Sequence, residues 1–246
     1  MSNGCVVIKN PRLRRLTSAA IVFFLLAANA PALAPSAPIV IGFVGGFVKQ
    51  NNAIHSEVQL ATRLRADYAS AVQVRMFANR AGLRAEREIL RLLDSNHDGT
   101  LSAQEKRAAR IAIYGHSWGA SETVTLARAL GAQGIPVLLT VLVDSVRKRG
   151  ENNEIIPPNV AQAINFYQRN GLLHGLARIR AADPARTQIL GNFKIDYKTN
   201  AVDCQGYPWY ARMFMRPHIE IESDPDVWRR VEALIRSKLP VLLVAK

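Results

Sequence analysis

The sequence predicts an α/β domain: a mainly parallel sheet covered by helices on both faces. Three observations predict it. Short continuous apolar runs recur, such as Ile39–Val44 (IVIGFV) and residues 136–143 (PVLLTVLV), and strands buried on both faces read in this way. Segments with apolar residues at helical spacing fall between those runs, which favours a parallel sheet with crossover helices. The chain has 246 residues, 49% of them hydrophobic, enough to bury the core of one such domain and too apolar for a disordered chain.

The elements follow in order. Residues 39–44 end on Gly45-Gly46 and read as a strand running into a tight turn. Ser56 can cap a helix that carries Leu60, Ala61, Leu64 and Tyr68 on one face. Residues 71–78 (AVQVRMFA) alternate as a strand does, and Ala85, Ile89, Leu92 and Leu93 mark the apolar face of a second helix. Residues 111–114 predict a short strand. A helix over 120–130 follows it, ending near Gly131, and the strand over 136–143 ends on Asp144. From Gly150 to Pro184 the pattern changes. Pro157-Pro158 opens an expected helix through Asn165 and Tyr167, and 150–184 reads as a helical insertion over the sheet edge. Residues 188–197 predict a further strand. Asp224-Pro225 caps a final helix with Val227, Val231, Leu234 and Ile235 inward. The chain shows no internal repeat and no low-complexity tract.

Formal net charge is +13. Four of the positive charges, Lys9, Arg12, Arg14 and Arg15, precede residue 38 with no acid among them. Together with the apolar run 16–28 (LTSAAIVFFLLAA) they make residues 1–34 read as a signal peptide or a retained N-terminal anchor. Residues 35–246 form the expected domain, and the protein is expected to be exported: periplasmic, extracellular or attached to the envelope. The basic surface allows peripheral association with an anionic envelope. No basic tract interleaved with aromatics points to nucleic acid. Cys5 would leave with a cleaved signal, so Cys204 would stand alone and the fold should need no disulfide.

The densest chemical signal is Gly115-His116-Ser117-Trp118-Gly119, a G-x-S-x-G pattern set between an apolar strand and a small-residue helix. A serine on so sharp a strand-to-helix turn is strained, and glycines two before and two after it remove side chains that would collide. The stretch resembles the α/β-hydrolase superfamily of lipases, esterases and thioesterases, over roughly residues 39–238. The resemblance implies the order nucleophile, acid, histidine, which Ser117, Asp144 and His218 satisfy. Asp196 and Asp203, near the next strand, are rivals for the acid. It places His218 in a loop before the last helix, His116 beneath the turn and His55 near the oxyanion loop. It also implies an oxyanion hole from the amides of Trp118 and Phe47, the latter in the turn after the first strand. The chain begins almost at the oxyanion strand, without the family's antiparallel opening strands, so the sheet should hold about five or six strands. The implied activity is hydrolysis of a small-molecule or lipid ester or thioester. Acyl transfer by the same triad, and a non-catalytic calcium-binding envelope protein on this fold, are the alternatives. Residues 150–184 and the run Tyr207-Pro208-Trp209-Tyr210 are candidates to wall an acyl pocket.

A second motif occupies residues 94–105 (DSNHDGTLSAQE). Asp94, Asn96 and Asp98 stand at positions 1, 3 and 5 of an EF-hand-type calcium loop, with Gly99 at the sharp turn. The carbonyl of Thr100 serves position 7, Ser102 can bind through water, and Glu105 offers two oxygens at position 12. The loop is single and its exit helix short, so calcium is expected as a structural clamp and not as a sensor's trigger.

Overall fold

The apolar runs read above at 39–44 and 136–143 become strands. The computed structural model describes residues 37–199 and 201–240, besides Met1; the expected signal segment lies outside them. Strand β1 (Ile39–Val44) is buried at every position. Helix α1 (Ser56–Tyr68) buries Leu60, Ala61, Leu64 and Tyr68 as expected, but its cap is His55, whose side chain makes no capping bond, and Ser56 is already helical. A short 3-10 turn, Ala69–Ala71, leads to β2 (Gln73–Ala78). Helix α2 (Gly82–Leu93) buries Ala85, Ile89 and Leu93. The short helix α3 (Ala103–Ala108) closes the acidic loop and precedes β3 (Ile111–His116). Helix α4 (Trp118–Ala132) and β4 (Val137–Val143) follow.

Residues 150–184 are not a helical insertion. They hold β5 (Ile155–Ile156), β6 (Val160–Tyr167) and β7 (Arg180–Ala181) and no helix. Strand β6 lies inside the main sheet between β4 and β8 (Gln188–Lys194), and β5 pairs with β7 in a separate two-stranded sheet. The physical reason is two-sided burial. Val160 and Ala163 pack on one face of the sheet, Ile164 and Phe166 on the other, and Asn165 Nδ2 donates to Leu176 O at 2.8 Å. A strand satisfies the backbone groups of such a segment through its neighbours, and the residue before each proline is pushed toward extended backbone.

The main sheet has six strands in the order β2-β1-β3-β4-β6-β8, and every pairing is parallel. It is therefore the small α/β sheet expected. On one face Val40, Tyr114, Val141 and Phe166 pack with Leu60 and Leu64 of α1. Trp228, Val231 and Ile235 of helix α7 (Pro225–Arg236) join them there. On the other face Ile41, Ile113 and Leu142 pack with Ile89 of α2 and Val124 of α4. Asp224 caps α7, its Oδ1 accepting from the amides of Asp226 and Val227 at 2.8 and 3.3 Å. Two helices escaped the sequence reading, α5 (Trp209–Phe214) and α6 (Arg216–Ser223). Neither has a side-chain cap bond, so the usual start signal is missing. Among the described residues, no helix is long and apolar enough to cross a membrane.

Candidate active site

Strand β3 runs centrally between β1 and β4 and ends in the turn at Ser117. Ser117 has φ 59° and ψ −125°, the left-handed side of the map that a non-glycine residue enters only when its surroundings hold it there. The glycines make this possible through close approach. A Cβ on Gly115 would lie 2.6 Å from Gly119 C, and one on Gly119 would lie 2.5 Å from Phe43 O. Gly45 serves more than its turn: a Cβ there would sit 2.9 Å from the Cβ of Ser117. Helix α4 starts at Trp118, directly after the serine, so its positive end faces whatever charge develops at Ser117 Oγ.

His218 Nε2 lies 2.9 Å from Ser117 Oγ, and His218 Nδ1 lies 2.6 Å from Asp144 Oδ2. The three side chains thus form one hydrogen-bonded chain, and all are buried. His218 sits in the first turn of α6 and not in a loop. Asp144, at the end of β4, also has positive φ, at 45°. Its Oδ1 accepts from the amides of Gln168 and Gly175 at 3.1 and 2.7 Å, and its Oδ2 accepts from Gln168 Nε2 at 2.8 Å. A fully buried carboxylate is tolerable when its oxygens are satisfied in this way. Gly175 must be glycine for this contact, because a Cβ there would lie 2.4 Å from Asp144 Oδ1. Gln168 and Gly175 were missed in the sequence, where nothing marks them as partners of an aspartate a strand away. The rivals stand elsewhere. Asp196 is exposed and accepts from Asn170 Nδ2 and the Lys198 amide; Asp203 is exposed and accepts from the Gln205 amide. Neither pairs with His218.

Phe47 and Trp118 both line the cavity at Ser117, with their rings edge to face at 5.8 Å. Gly46, at φ 47°, turns the chain there. The cavity has a volume of about 810 Å³. Ile54, Val146, Leu173, Tyr210, Met215 and Ile219 give it mainly apolar walls. Tyr207 and Pro208 line it with Tyr210, whereas Trp209 is 64% exposed and does not. Leu173 is the contribution of the 150–184 segment.

Beneath the triad lies a second polar group. His116 is buried with its ring centroid 4.5 Å from that of His218, and Glu222 faces it, Oε2 lying 3.4 Å from His116 Nδ1. Glu222 also contacts His55 Nδ1. Burial pushes the Glu222 carboxyl up to about 7 and holds His116 well below the usual imidazole range.

No family model and no curated protein matches the sequence. Among solved structures, the chain is similar to a cutinase-like protein from Cryptococcus sp., at 14% identity and TM-score 0.44, over 83% of this chain and 97% of that one. It is also similar to a thermostable esterase from Pseudomonas putida ECU1011, at 10% identity and TM-score 0.45, over 87% and 77%. An acetylxylan esterase aligns at 10% identity and TM-score 0.40, over 84% and 100%.

The acidic loop is closed by hydrogen bonds among its own residues. Gly99 turns at φ 80°, and its amide donates to Asp94 Oδ2 at 3.0 Å. Asp98 Oδ1 accepts from the Thr100 amide at 2.8 Å, and the Asp98 amide donates to Asn96 Oδ1 at 3.2 Å. Glu105 turns both oxygens to serines: Oε1 accepts from the amide and hydroxyl of Ser95, Oε2 from those of Ser102. The Ser95 hydroxyl and the other donors hold the Glu105 carboxyl down at about 2. The donor types therefore fit calcium, but Asp94, Asp98 and Glu105 do not meet at one point. Among the described residues, the one trio of His, Cys, Asp or Glu with ligand atoms within 4.8 Å of each other is His55, Glu57 and Glu222.

Proposed function

We propose that this chain is a serine hydrolase that cleaves a carboxylic ester or thioester with an apolar acyl group. The observation that carries the reading is the buried Ser117–His218–Asp144 hydrogen-bond chain on a left-handed elbow facing an apolar cavity. In this reading Ser117 Oγ attacks the carbonyl while His218 Nε2 takes its proton, later returned to the leaving group. Asp144 fixes His218 with Nδ1–H toward its carboxylate and stabilises the imidazolium. The amides of Trp118 and Phe47 receive the oxyanion. The Trp118 amide opens α4, where no helical carbonyl is available to it.

The loop 94–105 takes calcium in the same proposal, supported by its donor types and the turn at Gly99. Asp94, Asn96, Asp98, the Thr100 carbonyl and Glu105 would hold the ion, whose role is to neutralise the acidic loop and fix the segment leading to β3. Export is part of the proposal and rests on residues 1–34, read as a leader or anchor.

The test is a fluorophosphonate probe with mass mapping, beside a p-nitrophenyl ester series of rising acyl length with and without calcium. Labelling at Ser117 and turnover that rises with chain length are expected. A chain that neither labels at Ser117 nor turns over any ester of the series would overturn the reading.

A further inference from the structure

The floor of the same cavity carries a group that triad chemistry does not use. His55 and Glu222 line the cavity, and Glu57 stands behind them in the first turn of α1. Glu57 is fully buried and Glu222 is 4% exposed. Neither oxygen of Glu57 makes a hydrogen bond of normal geometry, and Glu222 opposite adds repulsion to the cost of burial. Among the described residues, no lysine or arginine forms an ion pair with either; the ion-pair partners of Glu222 are His55 and His116. The contrast with Asp144 is direct. That carboxylate has four donors, whereas the side-chain neighbour of Glu57 is a second carboxyl, Glu222, and a buried charge without a cationic partner is expensive. His116 Nδ1 and Nε2 are also buried without hydrogen bonds.

We infer that His55 Nδ1, Glu57 and Glu222 form a site for a divalent cation of the zinc class, with a fourth position open to water from the cavity or to His116. Ligand atoms within 4.8 Å of one another need only a small contraction to reach the separation of about 3.3 Å that tetrahedral zinc ligands have. One imidazole and two carboxylates are ligands zinc takes readily, with room for an exchangeable fourth partner. Calcium prefers six or more oxygens and is poorly served by an imidazole, so this site and the acidic loop select different ions. The cation neutralises Glu57, which has no cationic partner, together with Glu222, whose ion-pair partners are imidazoles alone. It reaches them through the cavity, past His55 and Glu222. It would also anchor Glu222 beside His116, whose ring lies against His218, and so brace α6 from below. The inference does not depend on the hydrolase reading, because it rests on the ligand geometry alone.

The experiment uses the full chain, stripped with EDTA and returned to calcium-containing buffer so that the acidic loop is supplied. Zinc is titrated by calorimetry, cobalt by visible absorption, and both by thermal melt. We expect one equivalent of zinc bound with Kd in the micromolar range or below, a raised Tm, and a cobalt spectrum of a four- or five-coordinate ion. Glu57→Gln and Glu222→Gln should each weaken zinc at least tenfold, while Glu105→Gln in the acidic loop leaves it unchanged. If Glu57→Gln does not fold, His55→Asn supplies the same comparison. Absence of zinc uptake by the wild-type chain would overturn the inference, as would unchanged affinity in the folded ligand variants. A cluster that ignores zinc and cobalt is a carboxylate pair neutralised by protons. Ser117→Ala should bind zinc as the wild type does, which keeps this outcome separate from that of the esterase test.

Discussion

The elbow at residues 115–119 and the acidic loop at 94–105 are both short motifs, and they are held in opposite ways. Every hydrogen bond of the loop's acidic side chains closes within ten residues, from Asp94–Asp98 to Ser95–Glu105. The elbow is held from far away. Gly119 packs on the carbonyls of β1, and Ser117 meets a histidine 101 residues on, which meets an aspartate 74 residues back. A locally closed motif answers to pH and, in the proposed reading, to calcium. A motif assembled across the sheet answers to the packing of the whole domain. Substitutions in the two regions should therefore separate, with activity lost at the elbow and stability or ion response lost at the loop.

The largest expected effect is at the nucleophile. Ser117→Ala should lower kcat by about 10⁴-fold or more, with the melt unchanged, and His218→Ala should match it. Turnover by Ser117→Ala near the wild-type rate, in material free of other esterases, would break the comparison at its root. Asp144→Asn comes next, with a loss of about 10⁴-fold in kcat because the imidazole is left in the wrong tautomer. Asp196→Asn and Asp203→Asn should stay near wild type, and steady-state kinetics on the three variants decides between the carboxylates. Gln168→Ala removes one donor from Asp144 while the amides of residues 168 and 175 remain. A loss of about ten-fold in kcat is expected, with KM little changed; a change in KM alone would place Gln168 in substrate binding instead.

The loop should show smaller, thermodynamic effects. Calcium at a hundredfold excess over Kd should add roughly 2.7 kcal/mol of stability, read as a higher Tm than in EDTA or magnesium, and activity should fall mainly near the lower melting point. Glu105→Gln should remove most of that shift. Identical melts in all three conditions, with no calcium heat by calorimetry, would reduce the loop to an acidic turn. The smallest effect is with acid in calcium-free buffer. The Glu105 carboxyl is held at about 2 by Ser95 and Ser102, below its unfolded value. Its contribution to stability is therefore fully present above about pH 4.5 and fades as pH falls toward 2. Glu105→Gln should flatten that part of the pH–stability curve, and an unchanged curve would show that the serines do not hold the carboxylate in solution.

The sequence by itself determined the features written in contiguous residues. The runs at 39–44 and 136–143 read as buried strands, because their apolar character is continuous and short. The elbow was legible because its glycines answer to a fixed local turn. The capped helix at Asp224-Pro225 was legible for the same reason. Features made by residues distant in the chain were not. Residues 160–167 read as helix after a proline pair, and only their partners β4 and β8 made them a strand. Three aspartates could serve the histidine in chain order, and the tertiary structure brought Asp144 to it, together with the unmarked Gln168 and Gly175. Nothing in the sequence joined His55, Glu57 and Glu222 into one group, since His55 and Glu222 lie 167 residues apart. Local propensity and spacing act along the chain. The pairing of strands and the meeting of buried charges are settled by which surfaces pack together, and that is a property of the whole fold.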